Sequence, residues 1–328
     1  MTRNAETLVT LADIQAAQTR LTGWVRPTPL LPFPDENLWL KAENLHPTGA
    51  FKLRGAFNKL LSLTPEQRAR GVVAHSSGNH AGAVAHAARA LGIPAVVVMP
   101  SGAPQTKLAA TRACGAEVVL VGNASDERAA KAREIAQERG LTPVPPYDDP
   151  HIIAGAGTVG LEILEALPDV GTVLVPVSGG GLISGVAVAI KSQRPDVRVI
   201  GVEPEFAADA QASLRAGKRV AWATTNVART LADGLRVTQL GELNWEHVRQ
   251  TVDDIVTVSE VQMRRAVRDT ALRARLVAEP SGAVTVAAAL YGRHGNGYDF
   301  GPGPVVAVVS GGNLDPETLI DLLRNTGT

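Results

Sequence analysis

Gly71-Val72-Val73-Ala74-His75-Ser76-Ser77-Gly78-Asn79-His80-Ala81 opens with a short apolar run, passes through small and polar residues, and enters an alanine-rich stretch that ends at Gly92. A β-branched run bounded by turn residues reads as a buried strand, and the stretch after it as a helix closed by glycine. This strand-loop-helix unit, with its strand over 71–75 and its helix over 81–91, then recurs. Strands follow over 95–99 and 117–121, and helices over 104–112 and 125–139, the last closed by Gly140. Such alternation predicts a parallel sheet covered by helices on both faces, with strands that are continuous apolar runs.

The pattern resumes after the proline-rich 143–150. It predicts a helix over 154–167, a strand over 172–177, a helix over 182–193 and a strand over 197–202. Residues 206–250 are less regular; then come a strand over 255–258, helices from Glu260 and Ser281, a strand over 305–309 and a helix from Pro316. Upstream, 11–21 reads as an amphipathic helix opened by Thr10, Arg26-Pro27-Thr28-Pro29-Leu30 as extended chain, and 38–42 as a strand. No internal repeat or low-complexity tail is visible.

At 328 residues and 45% hydrophobic, with 32 glycines, the composition suits a packed α/β enzyme of one large or two smaller domains. Acidic and basic residues balance at 32 each, so charge gives no reason to expect nucleic acid or an anionic membrane as partner. No apolar run approaches a membrane span, and the first residues lack a secretory apolar core. The single cysteine, Cys114, excludes an intramolecular disulfide and a cysteine-rich metal site. Cytoplasm is the expected location.

Lys52 stands out in Pro47-Thr48-Gly49-Ala50-Phe51-Lys52-Leu53-Arg54-Gly55-Ala56. It follows a Thr-Gly turn signal and leads into the apolar helical pattern Leu53, Ala56, Phe57, Leu60, Leu61. A lysine at a helix start, beside the positive dipole end and near Arg54, should lose its proton more easily. A neutral amine attacks carbonyls, as a Schiff-base lysine does.

Ser76-Ser77-Gly78-Asn79-His80 lies beyond the carboxyl end of a strand, where ligands bind in open α/β sheets; it also reads as an ordinary helix cap. N–H groups at the helix start favour an anion such as a substrate carboxylate. Ser178-Gly179-Gly180-Gly181-Leu182 lets the backbone bend around a bulky anion, with successive N–H groups turned inward. It has neither the dinucleotide spacing nor the Lys-Ser/Thr pair of a P-loop. Glu203-Pro204-Glu205-Phe206-Ala207-Ala208-Asp209 sets two carboxylates six residues apart around a carbonyl, a weak pattern for a hard cation.

The segment Lys41-Ala42-Glu43-Asn44-Leu45-His46-Pro47 through Ala56 resembles the pyridoxal-phosphate (PLP) attachment segment of the serine/threonine dehydratases, a family that includes serine racemase. The family more often has Ser where this chain has Ala50. The resemblance continues in order through the Ser76–His80 and Ser178–Leu182 stretches, Ala232-Asp233-Gly234, Glu279-Pro280-Ser281-Gly282 and Ser310-Gly311-Gly312-Asn313. It implies two open, mostly parallel twisted sheets flanked by helices, the tryptophan-synthase-β-like PLP fold type II. The implied division is a large PLP-binding domain of 1–66 and 147–328 and a small substrate-loop domain of 67–146, with no C-terminal regulatory domain, in a homodimer.

By the same resemblance Lys52 carries PLP, Phe51 flanks it and Asn79 meets its phenolic oxygen. Ser178, Gly179, Gly180, Gly181 and Leu182 hold its phosphate, Gly234 and Glu279 line its edge, and Ser310 meets the pyridine nitrogen. Ser76, Ser77, Gly78, Asn79 and His80 receive substrate, and Ser77 is the second-face acid/base in racemases. Glu203, Ala207 and Asp209 match the cation ligands of the metal-stimulated members, for Mg²⁺ or else Ca²⁺ or Mn²⁺. A hydroxyl at the pyridine nitrogen leaves the ring largely neutral, a weaker electron sink that favours prompt β-elimination. The implied activity is dehydration of a small hydroxyamino acid, L-threonine or L-serine, with serine racemase or 3-hydroxyaspartate dehydratase as alternatives. Tyr147, where animal racemases carry Asn, leans toward a dehydratase; Ala156, where the family usually has Gln, is a departure.

Overall fold

The computed structural model describes residues 8–34, 36–76, 78–103, 105–122, 125–292 and 298–325. Ten strands occur among these residues: β1 (Leu30–Pro32), β2 (Leu38–Ala42), β3 (Val72–His75), β4 (Ala95–Pro100), β5 (Glu117–Val121), β6 (Thr142–Pro143), β7 (Thr172–Pro176), β8 (Arg198–Pro204), β9 (Asp254–Val258) and β10 (Val305–Val309). They form two sheets, of order β1-β2-β10-β7-β8-β9 and β5-β4-β3-β6. Every pairing is parallel except β1 with β2, as the strand-helix alternation predicts. The smaller sheet is built wholly from strands within 72–143.

The helices that position the site are α1 (Leu11–Leu21), α2 (Lys52–Leu61), α3 (Pro65–Arg70), α4 (Asn79–Leu91), α5 (Gln105–Ala113), α6 (Ser125–Arg139), α7 (Pro150–Ala166) and α8 (Gly181–Lys191). In the segment without a clear pattern lie α9 (Asp209–Ala216), α10 (Thr224–Val227) and α11 (Glu242–Thr251). After β9 come α12 (Glu260–Leu272), α13 (Pro280–Ala287) and, past β10, α14 (Pro316–Arg324). Two helix starts differ from expectation by more than one residue. The α4 helix begins at Asn79, so Asn79 and His80 lie in its first turn rather than in the loop. The α7 helix begins at Pro150, capped by the Asp149 carboxylate, which accepts from His151 and Ile152 N–H. Proline is well suited to the first helical position, so the last residue of the apparent linker opens the helix.

The core strands β4, β7 and β10 are buried along their whole length, but β5 is not: two of its five residues are exposed. It is the edge of the small sheet, where among the described residues one side has no neighbouring strand.

Helices α7 and α8 meet backbone to backbone. A Cβ at Gly185 would lie 2.3 Å from Ile153 O and 2.5 Å from Gly157 N; one at Gly160 would lie 2.9 Å from Ala189 Cβ. Nothing at that contact is a flexible side-chain end that can move aside. Gly185→Ala is therefore expected to destabilise the protein by about 1–3 kcal/mol, the usual cost of overpacking, in urea denaturation. A neutral result would mean that the two helices separate freely. They should not, because α8 carries the glycine loop at its N-terminus.

Candidate active site

Lys52 is delivered by an antiparallel approach of two loops. Gly49, at φ +71°, turns the chain; a side chain there would strike Asn313. Ala50 then bridges Gly311, Phe51 N–H donates to Ser310 O (3.0 Å), and Gly312 N–H donates to Gly49 O (2.9 Å). The first residue of α2 is thus fixed beside the end of β10. Lys52 Nζ donates to Pro146 O (2.6 Å) and sits 5.0 Å from the centre of the Phe51 ring. Burial lowers its amine to about 8. Arg54, expected to contribute, does not: its guanidinium turns away onto Glu43 and Glu162.

Polar contacts cross from the small sheet's α4 to the large sheet. Asn79 Nδ2 donates to Glu279 Oε1 (2.6 Å), and Asn79 Oδ1 accepts from Asn313 Nδ2 (2.9 Å), which also donates to Thr48 O (2.8 Å). Asn313 belongs to the Ser310–Asn313 motif but is not among the expected site residues. Gly234 N–H donates to Ser281 Oγ (2.9 Å), and Ser310 Oγ makes a long donation to Ser281 O (3.5 Å). Ser76 Oγ accepts from Gly78 N–H (3.1 Å). Ser77 lies outside the described residues.

His80 is buried, and its Nε2 lies 2.9 Å from Val144 O, so Nε2 carries the hydrogen. Burial, and after it the charge of Lys52, lowers the imidazole to about 3; it is a neutral ring rather than a cation.

Glu279 is 3% exposed, and burial, with the charge of Asp233 next, pushes its carboxyl up to about 7. Between the ordinary value of 4.5 and 7 the folded chain keeps a proton that the unfolded chain releases. This contribution therefore lowers stability as pH rises across that window. Glu279→Gln should make the cofactor-free protein more stable than the parent above pH 7, with the advantage fading toward pH 4.5. Urea denaturation at a series of pH values checks this, and a pH-independent difference would contradict it.

The glycine loop joins β7 to α8. Gly180 adopts φ +94°, and a Cβ at Gly179 would lie 2.4 Å from the Tyr147 ring, so the loop runs directly against that aromatic. Ser178 Oγ is buried without a hydrogen-bond partner. An orphaned hydroxyl, a glycine turn and the first N–H groups of α8 are together a donor set that fits a phosphate. In the sequence Tyr147 bears only on the choice between dehydratase and racemase; its packing against this loop appears only in three dimensions.

Glu203 and Asp209 come together, both buried. Glu203 Oε1 accepts from Ala210 N–H (3.0 Å) and Oε2 from Gln211 N–H (2.8 Å), at the start of α9. Burial and then Asp209 hold the Glu203 carboxyl well above its ordinary value, and burial pushes Asp209 up to about 7. Asp209 Oδ2 is buried without a partner. That oxygen and the crowded pair suit a hard cation, although both Glu203 oxygens already have backbone donors. Among the described residues no group of three or more His, Cys, Asp or Glu could hold a metal. No helix among them is long and apolar enough to cross a membrane.

Residues 21–311 match the family model described as pyridoxal-phosphate dependent enzyme. The chain is 47% identical over 326 residues to an L-threonine ammonia-lyase of Thermotoga maritima, covering 98% of this chain and 79% of that protein. It is 46% identical over 316 residues to the catabolic L-threonine dehydratase TdcB of Escherichia coli, covering 94% of each. Among solved structures, maize serine racemase superposes with a TM-score of 0.91 at 37% identity, covering 97% of this chain and 98% of that one. A threonine deaminase from T.th. superposes at 0.86 with 43% identity, covering 93% and 99%.

Proposed function

Because this chain belongs to the pyridoxal-phosphate-dependent enzymes, with the tryptophan-synthase-β-like fold type II, we propose that it is an L-threonine ammonia-lyase. It converts L-threonine to 2-oxobutanoate and ammonia, and L-serine to pyruvate and ammonia. The observation that supports the reading is the pairing of 49–51 with 310–312, which brings the backbone just before Lys52 against Ser310.

PLP, when bound, supplies the electron sink that lets the substrate Cα proton and β-hydroxyl depart. Lys52 would hold it covalently, with Phe51 against it, Asn79 at its phenolic oxygen, and Gly234 and Glu279 at its edge. Ser178 through Leu182 would hold its phosphate. Ser310 would offer the ring nitrogen a hydroxyl, not a carboxylate, which would keep the sink weak and favour elimination. An amine lowered to about 8 is partly unprotonated near neutrality, so Lys52 could take the substrate Cα proton. The N–H groups at the start of α4, with Ser76, Ser77, Gly78, Asn79 and His80, receive the substrate carboxylate.

Glu203, the Ala207 carbonyl and Asp209 are the proposed ligands of Mg²⁺, or of Ca²⁺ or Mn²⁺. The unpartnered Asp209 oxygen supports this. We divide the chain into a large unit of 1–66 and 147–328 and a small one of 67–146, consistent with the strand membership of the two sheets. A cytoplasmic homodimer completes the proposal.

The likeness to maize serine racemase supports a second reading, racemisation with side dehydration, in which Ser77 acts on the face opposite Lys52. Purified protein incubated with L-threonine, L-serine, L-threo-3-hydroxyaspartate and D-serine, with and without Mg²⁺, separates the readings. Oxo acid from L-threonine without serine of inverted configuration is the expected result. Accumulating D-serine from L-serine would put racemisation first, and neither product in a yellow protein would overturn both.

A further inference from the structure

We propose that Asn244, held by Asp148, is the positioning residue that keeps the glycine loop turned to receive phosphate; this rests on the PLP reading above. Asn244 is fully buried in the first turn of α11. Its Nδ2 donates to Gly179 O (2.7 Å), and Gly241 N–H donates to the same oxygen (3.1 Å). Two donors therefore hold the Gly179 carbonyl toward α11.

The consequence follows from the planar trans peptide, in which C=O and N–H point in opposite directions. Fixing Gly179 O fixes the direction of Gly180 N–H, away from α11. Without the brace, nothing intrinsic to Gly179-Gly180 would prefer that orientation, because glycine occupies both halves of the φ map readily. The flipped peptide would aim a carbonyl where its N–H now points and would repel an anion bound there.

Asp148 sets where Asn244 stands. Its carboxylate accepts from Glu242 N–H (3.0 Å), Leu243 N–H (3.1 Å) and Asn244 N–H (3.3 Å), capping α11. It follows Tyr147, whose ring packs on Gly179 from its own side. The loop is thus gripped between Tyr147 and Asn244, and consecutive residues of one segment, Tyr147 and Asp148, govern both contacts. The amide is needed at 244, since the partner is a carbonyl and an ionised Asp has nothing to donate.

The test uses the parent protein, Asn244→Asp and Asn244→Ala, each stripped of cofactor and titrated with PLP and separately with pyridoxal, which lacks the phosphate. Formation of the lysine adduct is followed by absorbance, and urea denaturation reports folding. Asn244→Asp should weaken PLP binding about tenfold or more while leaving pyridoxal binding unchanged. Should that variant not fold, Asn244→Ala carries the same contrast. Equal weakening of PLP and pyridoxal would reduce Asn244 to a packing residue, and unchanged PLP binding would remove the brace altogether. Failure of the parent itself to take up PLP would instead overturn the enzyme reading, and the brace with it.

Discussion

Lys52→Ala is expected to lower L-threonine turnover roughly 10³-fold or more, because it removes the amine proposed above as both nucleophile and base for the Cα proton. The lysines near the site are not equivalent. Lys41 is buried too, but it is tied to Glu162 and to Thr28 O, with Glu43 at 3.9 Å. Lys107 pairs with Asp233 at 3.4 Å. Lys52 instead donates to a neutral carbonyl and lies beside an aromatic ring, so its ammonium is desolvated and no carboxylate among the described residues pairs with it. Borohydride reduction of the parent followed by peptide mapping should place the adduct on Lys52. In Lys52→Ala no lysine should take its place. Turnover within tenfold of the parent, or an adduct on Lys41 or Lys107, would remove Lys52 from the proposed role.

The α/β alternation is legible in the sequence because its signal is local: apolar runs such as Ala95–Pro100 and Val305–Val309 are strands in almost any context. The site motifs are legible in order, since each occupies a few consecutive residues. What the chain does not disclose is how they meet. The Ala50–Gly311 bridge joins residues far apart in sequence, and no periodicity announces it. Arg54 misleads for the same reason: nearness to Lys52 in sequence suggests nearness in space, whereas on the helix its side chain faces another way. Between 206 and 250 the helices are separated by irregular chain and α10 is only four residues long, so no sustained period marks them. Asn244 and Asp148 carry no local signature because their partners lie about 65 and 95 residues away.

Arg54→Met should cost about 3–5 kcal/mol of stability, the usual penalty for stripping one partner from a buried ion cluster. Arg54 is 1% exposed and Glu43 fully buried. The guanidinium donates through Nε to Glu43 Oε2 (2.7 Å) and through Nη2 to Glu43 Oε1 (2.8 Å). It also donates to Glu162 (2.5 and 2.7 Å) and to Thr158 Oγ1 (3.0 Å). Burial alone would raise Glu43, but the Arg54 charge and the bonds from His46 and Arg54 hold it well below the ordinary value. A carboxylate depressed in the folded state contributes stability above its unfolded value of 4.5 and loses it as pH falls. The gap between parent and Arg54→Met should therefore narrow on acidification below pH 4.5. Arg54→Lys should fall between them, since an ammonium cannot reproduce the planar fork that spans two carboxylates. A variant within about 1 kcal/mol of the parent at pH 7 would mean the cluster is neutral in balance, as some buried ion pairs are when replaced by apolar groups. The cluster also ties α2 to Glu43 just after β2 and to α7, two residues from Lys52. Loosening it should weaken cofactor retention in parallel with stability, because this cluster holds the helix that carries Lys52.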